Sequence, residues 1–117
     1  MTDVRTTEEV LRHHLACRQA GDLEADLRHN YAPEIVVLTM EGVYRGYDGV
    51  RSNAQTLRGY LGGARFTFPV FRIADRFALL EWRAEHEGRA VYDGADSFVV
   101  EGGLIVCQTI RYTVHDT

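Results

Sequence analysis

The sequence predicts an α+β domain in which helices come first and a long antiparallel sheet follows. Two observations carry that expectation. Apolar residues recur at helical spacing up to about residue 62, and beyond it they alternate with polar ones as strands do. Three short breaks, Ala74-Asp75-Arg76, Glu87-Gly88-Arg89 and Glu101-Gly102-Gly103, then divide the second half into four strands of roughly eight to eleven residues. Such close spacing is that of a meander.

Thr6 followed by Glu9 has capping-box spacing and opens a first helix through about Ala20. Gly21 stops it, and Asp22 can cap a second helix carrying Leu23, Leu27 and Tyr31 on one face. Pro33 breaks that helix. Ile35 to Met40 is β-rich, and Glu41-Gly42 turns the chain into a short strand, Val43-Tyr44-Arg45. Asp48 reads as the cap of a third helix, with Val50, Ala54, Leu57 and Leu61 inward and an end near Gly62-Gly63. Pro69 cannot donate to a ladder, so it predicts an edge or a bulge in the strand that holds it.

Composition narrows the class. The 117 residues suit one domain, 1–117, with a single core. Net charge is −4, and the 13 basic residues form no basic run, which argues against nucleic acid or an anionic membrane as partner. No apolar stretch approaches the roughly 20 residues of a membrane span. Met1-Thr2-Asp3-Val4-Arg5 lacks the apolar core of a signal peptide, so the expected location is cytoplasmic. Cys17 and Cys107 lack metal-ligand spacing and read as small buried hydrophobes in a reducing compartment. Adjacent helical residues point about 100° apart, so His13-His14 is no metal pair. No metal-binding, phosphate-loop or dinucleotide motif is present, and neither a metal nor a cofactor is expected.

Alternation sorts the strand side chains. Asp96 lies two residues before Phe98 and four before Val100, so all three share a face. Leu80, Trp82, Ala84 and His86 share another, with Glu81, Arg83 and Glu85 turned outward. In the last strand Gln108, Ile110, Tyr112 and Val114 face one way, and Thr109, Arg111 and Thr113 the other. On the first helix His14 lies between Val10 and Cys17. The expected interior therefore holds His14, His86, Asp96, Gln108 and Tyr112 among Trp82, Phe98 and aliphatics. Either these groups satisfy one another as a structural network, or they line a cavity that binds something.

Three stretches carry a family resemblance: Ala20-Gly21-Asp22-Leu23, Tyr31-Ala32 leading to Gly46, and Gly94-Ala95-Asp96-Ser97-Phe98 with the Gly103-Leu104-Ile105 hairpin. From about residue 7 to 114 the chain resembles the cone-shaped α+β barrels of nuclear transport factor two, ketosteroid isomerase, scytalone dehydratase and the SnoaL-like polyketide cyclases. The resemblance implies three helices packed on a strongly curved, mainly antiparallel sheet. It places the buried, oxyanion-donating aspartic acid of ketosteroid isomerase on Asp96, its donor tyrosine on His14 and its catalytic base on Thr39. A threonine is no base at neutral pH, so isomerisation by that route is not expected. The Asp-Arg-Asp arrangement of limonene epoxide hydrolase-like enzymes also lacks a counterpart, because Arg83 faces outward. Histidines, a carboxylate and tyrosines of the scytalone dehydratase type are present as residue types only.

The leading expectation is an acid/base enzyme acting on a mostly apolar carbonyl compound by isomerisation, dehydration or aldol-type cyclisation. Asp96 would be the acid or oxyanion donor, and His14 or His86 the base. Trp82, Phe98, Gln108, Tyr112 and Thr39 would contact the substrate. The alternatives are a non-catalytic binder of a small lipophilic ligand and a protein-interaction module. The expected partners are a small apolar or aromatic ligand and a second copy of the chain, docked through an outer sheet face that includes Arg83, Val99, Thr109 and Arg111.

Overall fold

Thr6 caps the first helix as its spacing predicts. Its hydroxyl accepts from Glu9 N at 3.1 Å while the Glu9 carboxylate accepts from Thr6 N at 2.8 Å, satisfying two donors that the helix start would leave open. The computed structural model describes residues 4–117, so the part of the N-terminal reading that rests on Met1, Thr2 and Asp3 lies outside the described residues. Helix α1 runs Thr7–Gln19 and α2 runs Leu23–Asn30, the latter capped by Asp22, which accepts from Ala25 N at 3.1 Å. Gly21, at φ +72°, makes the tight turn between them.

Pro33 does not end α2. The helix stops at Asn30 and strand β1, Tyr31–Thr39, begins at once, four residues earlier than expected. Pro33 lies exposed inside β1, where the pairing register shifts between Tyr31 and Val36, so the missing N–H falls at an irregularity. Tyr31 thereby becomes a strand residue aimed into the core. Strand β2, Gly42–Arg45, leads into α3, Gly46–Leu61. Asp48 is not its cap: Arg45 holds that position without a side-chain bond. Asp48 sits in the first turn instead and pairs with Arg51 at 2.7 Å, a favourable site for a negative charge near a helix start.

Strands β3 (Arg65–Ala74), β4 (Phe77–His86), β5 (Arg89–Glu101) and β6 (Leu104–Arg111) form the meander, and a short β7, His115–Asp116, pairs with β5. The sheet order is β2-β1-β6-β5-β4-β3, antiparallel throughout except for the parallel β1–β6 pair. Pro69 lies on edge strand β3 at a register shift between Thr67 and Val70, as its chemistry requires. The three helices cover one face of this curved sheet. On the other face Leu79, Ser97, Thr109, Leu38 and Val43 stand in register as a row across five strands. No helix among the described residues is long and apolar enough to cross a membrane.

Candidate active site

The helices do not fill the concave side of the sheet. A cavity of about 620 Å³ remains between α1, α3 and strands β3 to β6, within the size range of small-molecule sites. Its wall is mostly apolar, with Leu15, Leu57, Phe68 and Ile110 among its members. His14, Trp82, Asp96 and Gln108 break that lining.

Alternation with Phe98 and Val100 turns Asp96 inward from β5. Trp82 Nε1 donates to Asp96 Oδ1 at 3.0 Å, and Gln108 Nε2 donates to Oδ2 at 3.0 Å. The Gln108 amide has its orientation dictated from behind: the Tyr31 hydroxyl donates to its Oε1 at 2.6 Å, leaving the NH₂ for Asp96. Burial holds the Tyr31 phenol protonated by pushing it well above the ordinary tyrosine range. Burial likewise pushes the Asp96 carboxyl up, although the bonds from Trp82 and Gln108 oppose the rise. Both hydrogen bonds that the described residues make to Asp96 are donated to it. A proton on the carboxyl therefore has no acceptor among the described residues, and Asp96 lines the cavity.

The indole reaches Asp96 because of the residue opposite it. Trp82 pairs with Gly94 across the β4–β5 ladder, and a Cβ at Gly94 would lie 2.3 Å from the indole. Gly94→Ala is expected to lift the ring off β5 and break its bond to Asp96, at a cost of about 2 kcal/mol. Thermal melting and tryptophan emission read the two effects, and a variant unchanged in both would refute this account.

Across the cavity wall, α1 and α2 build a second polar unit. His14 is buried, and its Nδ1 lies 2.8 Å from Asp26 Oδ2. Asp26 has no exposed surface; it also accepts from Arg18 Nε at 2.9 Å and from Asn30 Nδ2 at 2.9 Å. Burial works to raise its carboxyl, but the His14 and Asn30 bonds and the Arg18 charge prevail and hold it below the usual range. An ionised carboxylate only accepts, so Nδ1 of His14 carries a proton and Nε2 is left with its lone pair when the ring is neutral. Nε2 has no partner among the described residues, yet none of their enclosed polar atoms is unpartnered, so it opens onto the cavity that His14 lines. The ring is braced edge-on by Tyr31 and Phe98, with centroids at 5.8 and 5.5 Å.

Four expected site residues fall elsewhere. His86 is exposed at the last position of β4, its Nδ1 3.3 Å from Glu87 O. The inward row ends at Ala84, so His86 is not a candidate base. Thr39 is the end of β1 and accepts from Glu41 N and Gly42 N, tightening the β1–β2 hairpin rather than touching the cavity. Phe98 is buried beneath the His14 ring, and Tyr112 packs on Trp82 at 5.6 Å; neither forms the wall. Burial pushes the Tyr112 phenol up to about 12. Arg83 is exposed, as alternation predicts. Asp26 was the residue that sequence reasoning passed over. Its signal was there: Leu23, Asp26, Leu27 and Asn30 follow i, i+3, i+4, i+7 spacing, which puts Asp26 and Asn30 on the apolar face of α2.

Cys17 is buried, and burial together with the Asp26 charge pushes its thiol up, the opposite of an activated nucleophile. The described residues contain no group of three or more His, Cys, Asp or Glu placed to hold a metal ion.

Three helices on a curved, mostly antiparallel sheet, with a cavity between the layers, define the NTF2-like class of α+β cones. Within it the chain belongs to the SnoaL-like domain family, whose model matches residues 11–108. Among solved structures, an NTF2-like protein from Mesorhizobium loti is similar at 21% identity, covering 97% of each chain with a TM-score of 0.76. A candidate polyketide cyclase from Sinorhizobium meliloti matches at 15% identity over 87% of this chain and 93% of its own, TM-score 0.68. TerC, co-crystallised with polyporic acid, matches at 15% identity over 92% of this chain and 91% of its own, TM-score 0.73. These likenesses concern the fold. No curated protein matches the chain.

Proposed function

We propose that the protein is an acid/base enzyme that moves a proton on a mostly apolar, enolisable carbonyl compound held in the cone cavity. One observation carries the reading: two aspartates near one cavity are driven in opposite directions, Asp26 down and Asp96 up. Environments that separate two carboxyls in this way divide acid from base. Asp26 stays charged and orients His14. His14 Nε2 removes a proton from the carbon next to the carbonyl, the C–H electron pair forms the enolate, and the Asp96 O–H donates to the oxygen on which charge develops. Where a neighbouring C=C bond extends the enolate, return of the proton from the imidazolium to the far carbon of that dienolate completes an isomerisation. Attack of the enolate carbon on a second carbonyl of the same ligand sends that C=O electron pair to its oxygen, and the imidazolium proton passes to the alkoxide, which would make the reaction a cyclisation. Trp82 and Gln108 hold the Asp96 carboxyl in place throughout. The fold it shares with a candidate polyketide cyclase is compatible with this reaction class.

The test needs no knowledge of the natural substrate. β-Tetralone, an apolar enolisable ketone, exchanges its α-protons in heavy water, and proton NMR follows the loss. The protein is expected to accelerate exchange, and His14→Gln to remove about hundredfold of that acceleration. No acceleration by the unaltered protein across a panel of such ketones would replace this reading with that of a non-catalytic binder.

A further inference from the structure

We propose that the cavity reads a second polar group on its ligand through Asn53, a role that rests on the Asp96 and His14 reading above for the first. Asn53 lies on the inner face of α3, with Val50, Ala54, Leu57 and Leu61 around it, and it lines the cavity. Only 9% of its surface is exposed. Asparagine is a poor helix former, and leucine or alanine would suit that apolar stripe better on packing grounds alone. A buried amide is normally tied to a neighbour. This one makes no hydrogen bond to any described residue, and none of their enclosed polar atoms is unpartnered, so its amide opens onto the cavity. The other polar lining groups differ: Gln108 is bonded on both sides, Arg18 is held by Asp26, and Gln19 and Arg58 are exposed.

A free primary amide both donates and accepts, carries no charge, and matches a hydroxyl or a carbonyl better than a carboxylate or phosphate. The ligand class is therefore an apolar, ring-sized compound with two separated oxygen functions. One meets Asp96 on the sheet and the other meets Asn53 on the helix. A site built to bond a hydroxyl rejects the analogue that lacks it, because its own polar group is then left unpaired.

Two probes test this by isothermal titration calorimetry: β-naphthol, and the dihydroxynaphthalene with its second hydroxyl at the far end of the other ring. The unaltered protein is expected to bind the diol about tenfold more tightly. Asn53→Leu is expected to bind the two alike and to melt at or above the parent temperature, and Asn53→Ala gives the same comparison should leucine crowd the cavity. Equal binding by the parent protein, or a diol preference that survives both substitutions, overturns the assignment. So does a marked drop in melting temperature in both variants, which would make Asn53 a structural residue. Binding of neither probe sinks the cavity reading along with it. Binding is measured without turnover, so an Asn53-dependent preference in a protein inert towards ketones would keep this inference and remove the catalytic one.

Discussion

Asp26→Ala is expected to cost about 3 kcal/mol, a large share of the stability of a domain this size. The side chain has no solvent access and receives hydrogen bonds from three residues on two helices. Removing it leaves the His14 Nδ1–H and the Asn30 amide without that acceptor and frees the Arg18 guanidinium. Arg18 is partly exposed and can turn to water, which keeps the cost at the lower end for a broken buried pair. Thermal melting should fall by roughly 10 °C at neutral pH. The sign of the pH dependence follows from the depressed carboxyl. A folded value below the unfolded one stabilises the protein above the ordinary carboxylate range, and that contribution fades as pH falls through the depressed value. The gap between Asp26→Ala and the parent should therefore close in strong acid. A gap that stays constant, or a melt within a degree of the parent at neutral pH, would show that the α1–α2 polar unit carries no such weight.

How much of this was legible in the sequence depends on whether the deciding interaction was local. Thr6 with Glu9, Asp22 before α2 and Pro69 in β3 were readable because a cap or a missing donor is settled within a few residues. Asp48 and Pro33 misled for the complementary reason. Each is a plausible punctuator, but the start of α3 at Gly46 (φ +69°) and the pairing of Tyr31 with β6 had already set the boundary. Period-2 alternation correctly turned Asp96, Trp82 and Gln108 to one face, since ladder register preserves it across neighbouring strands. It failed for His86, because alternation says which face a residue is on and not where the covering helices stop. Thr39 was carried over from a resemblance, and the hairpin that employs its hydroxyl has no equivalent in a motif. Asp26 and Asn53 share a different lesson. Each is a polar residue on a helix stripe otherwise read as apolar, and a stripe that contains one is asking for a partner. Which partner it meets, a histidine from α1 or the open cavity, is decided only by packing.

Asp96→Asn separates the chemistry of the proposed site from its architecture. The substitution preserves size, but an amide has one acceptor atom where the carboxyl has two, so either the Trp82 N–H or the Gln108 NH₂ loses its acceptor. Against that loss stands a gain. The raised Asp96 carboxyl binds its proton more tightly in the folded state than in the unfolded one. Its contribution to stability is complete below the ordinary carboxylate range and is lost as pH rises through the raised value. The asparagine variant has no such dependence. The parent should be the more stable protein in acid, and its advantage should shrink steadily, or reverse, as the pH is raised from the ordinary carboxylate range through the raised value. Activity is expected to respond in one direction only. With the acidic proton gone, acceleration of β-tetralone exchange should fall by a factor of about a thousand, the scale associated with losing a principal donor to developing negative charge. Melting curves across pH and exchange rates at one pH together decide the matter. A stability difference that does not move with pH would mean that Asp96 is an ordinary ionised carboxylate, and undiminished exchange would mean that the proton comes from elsewhere.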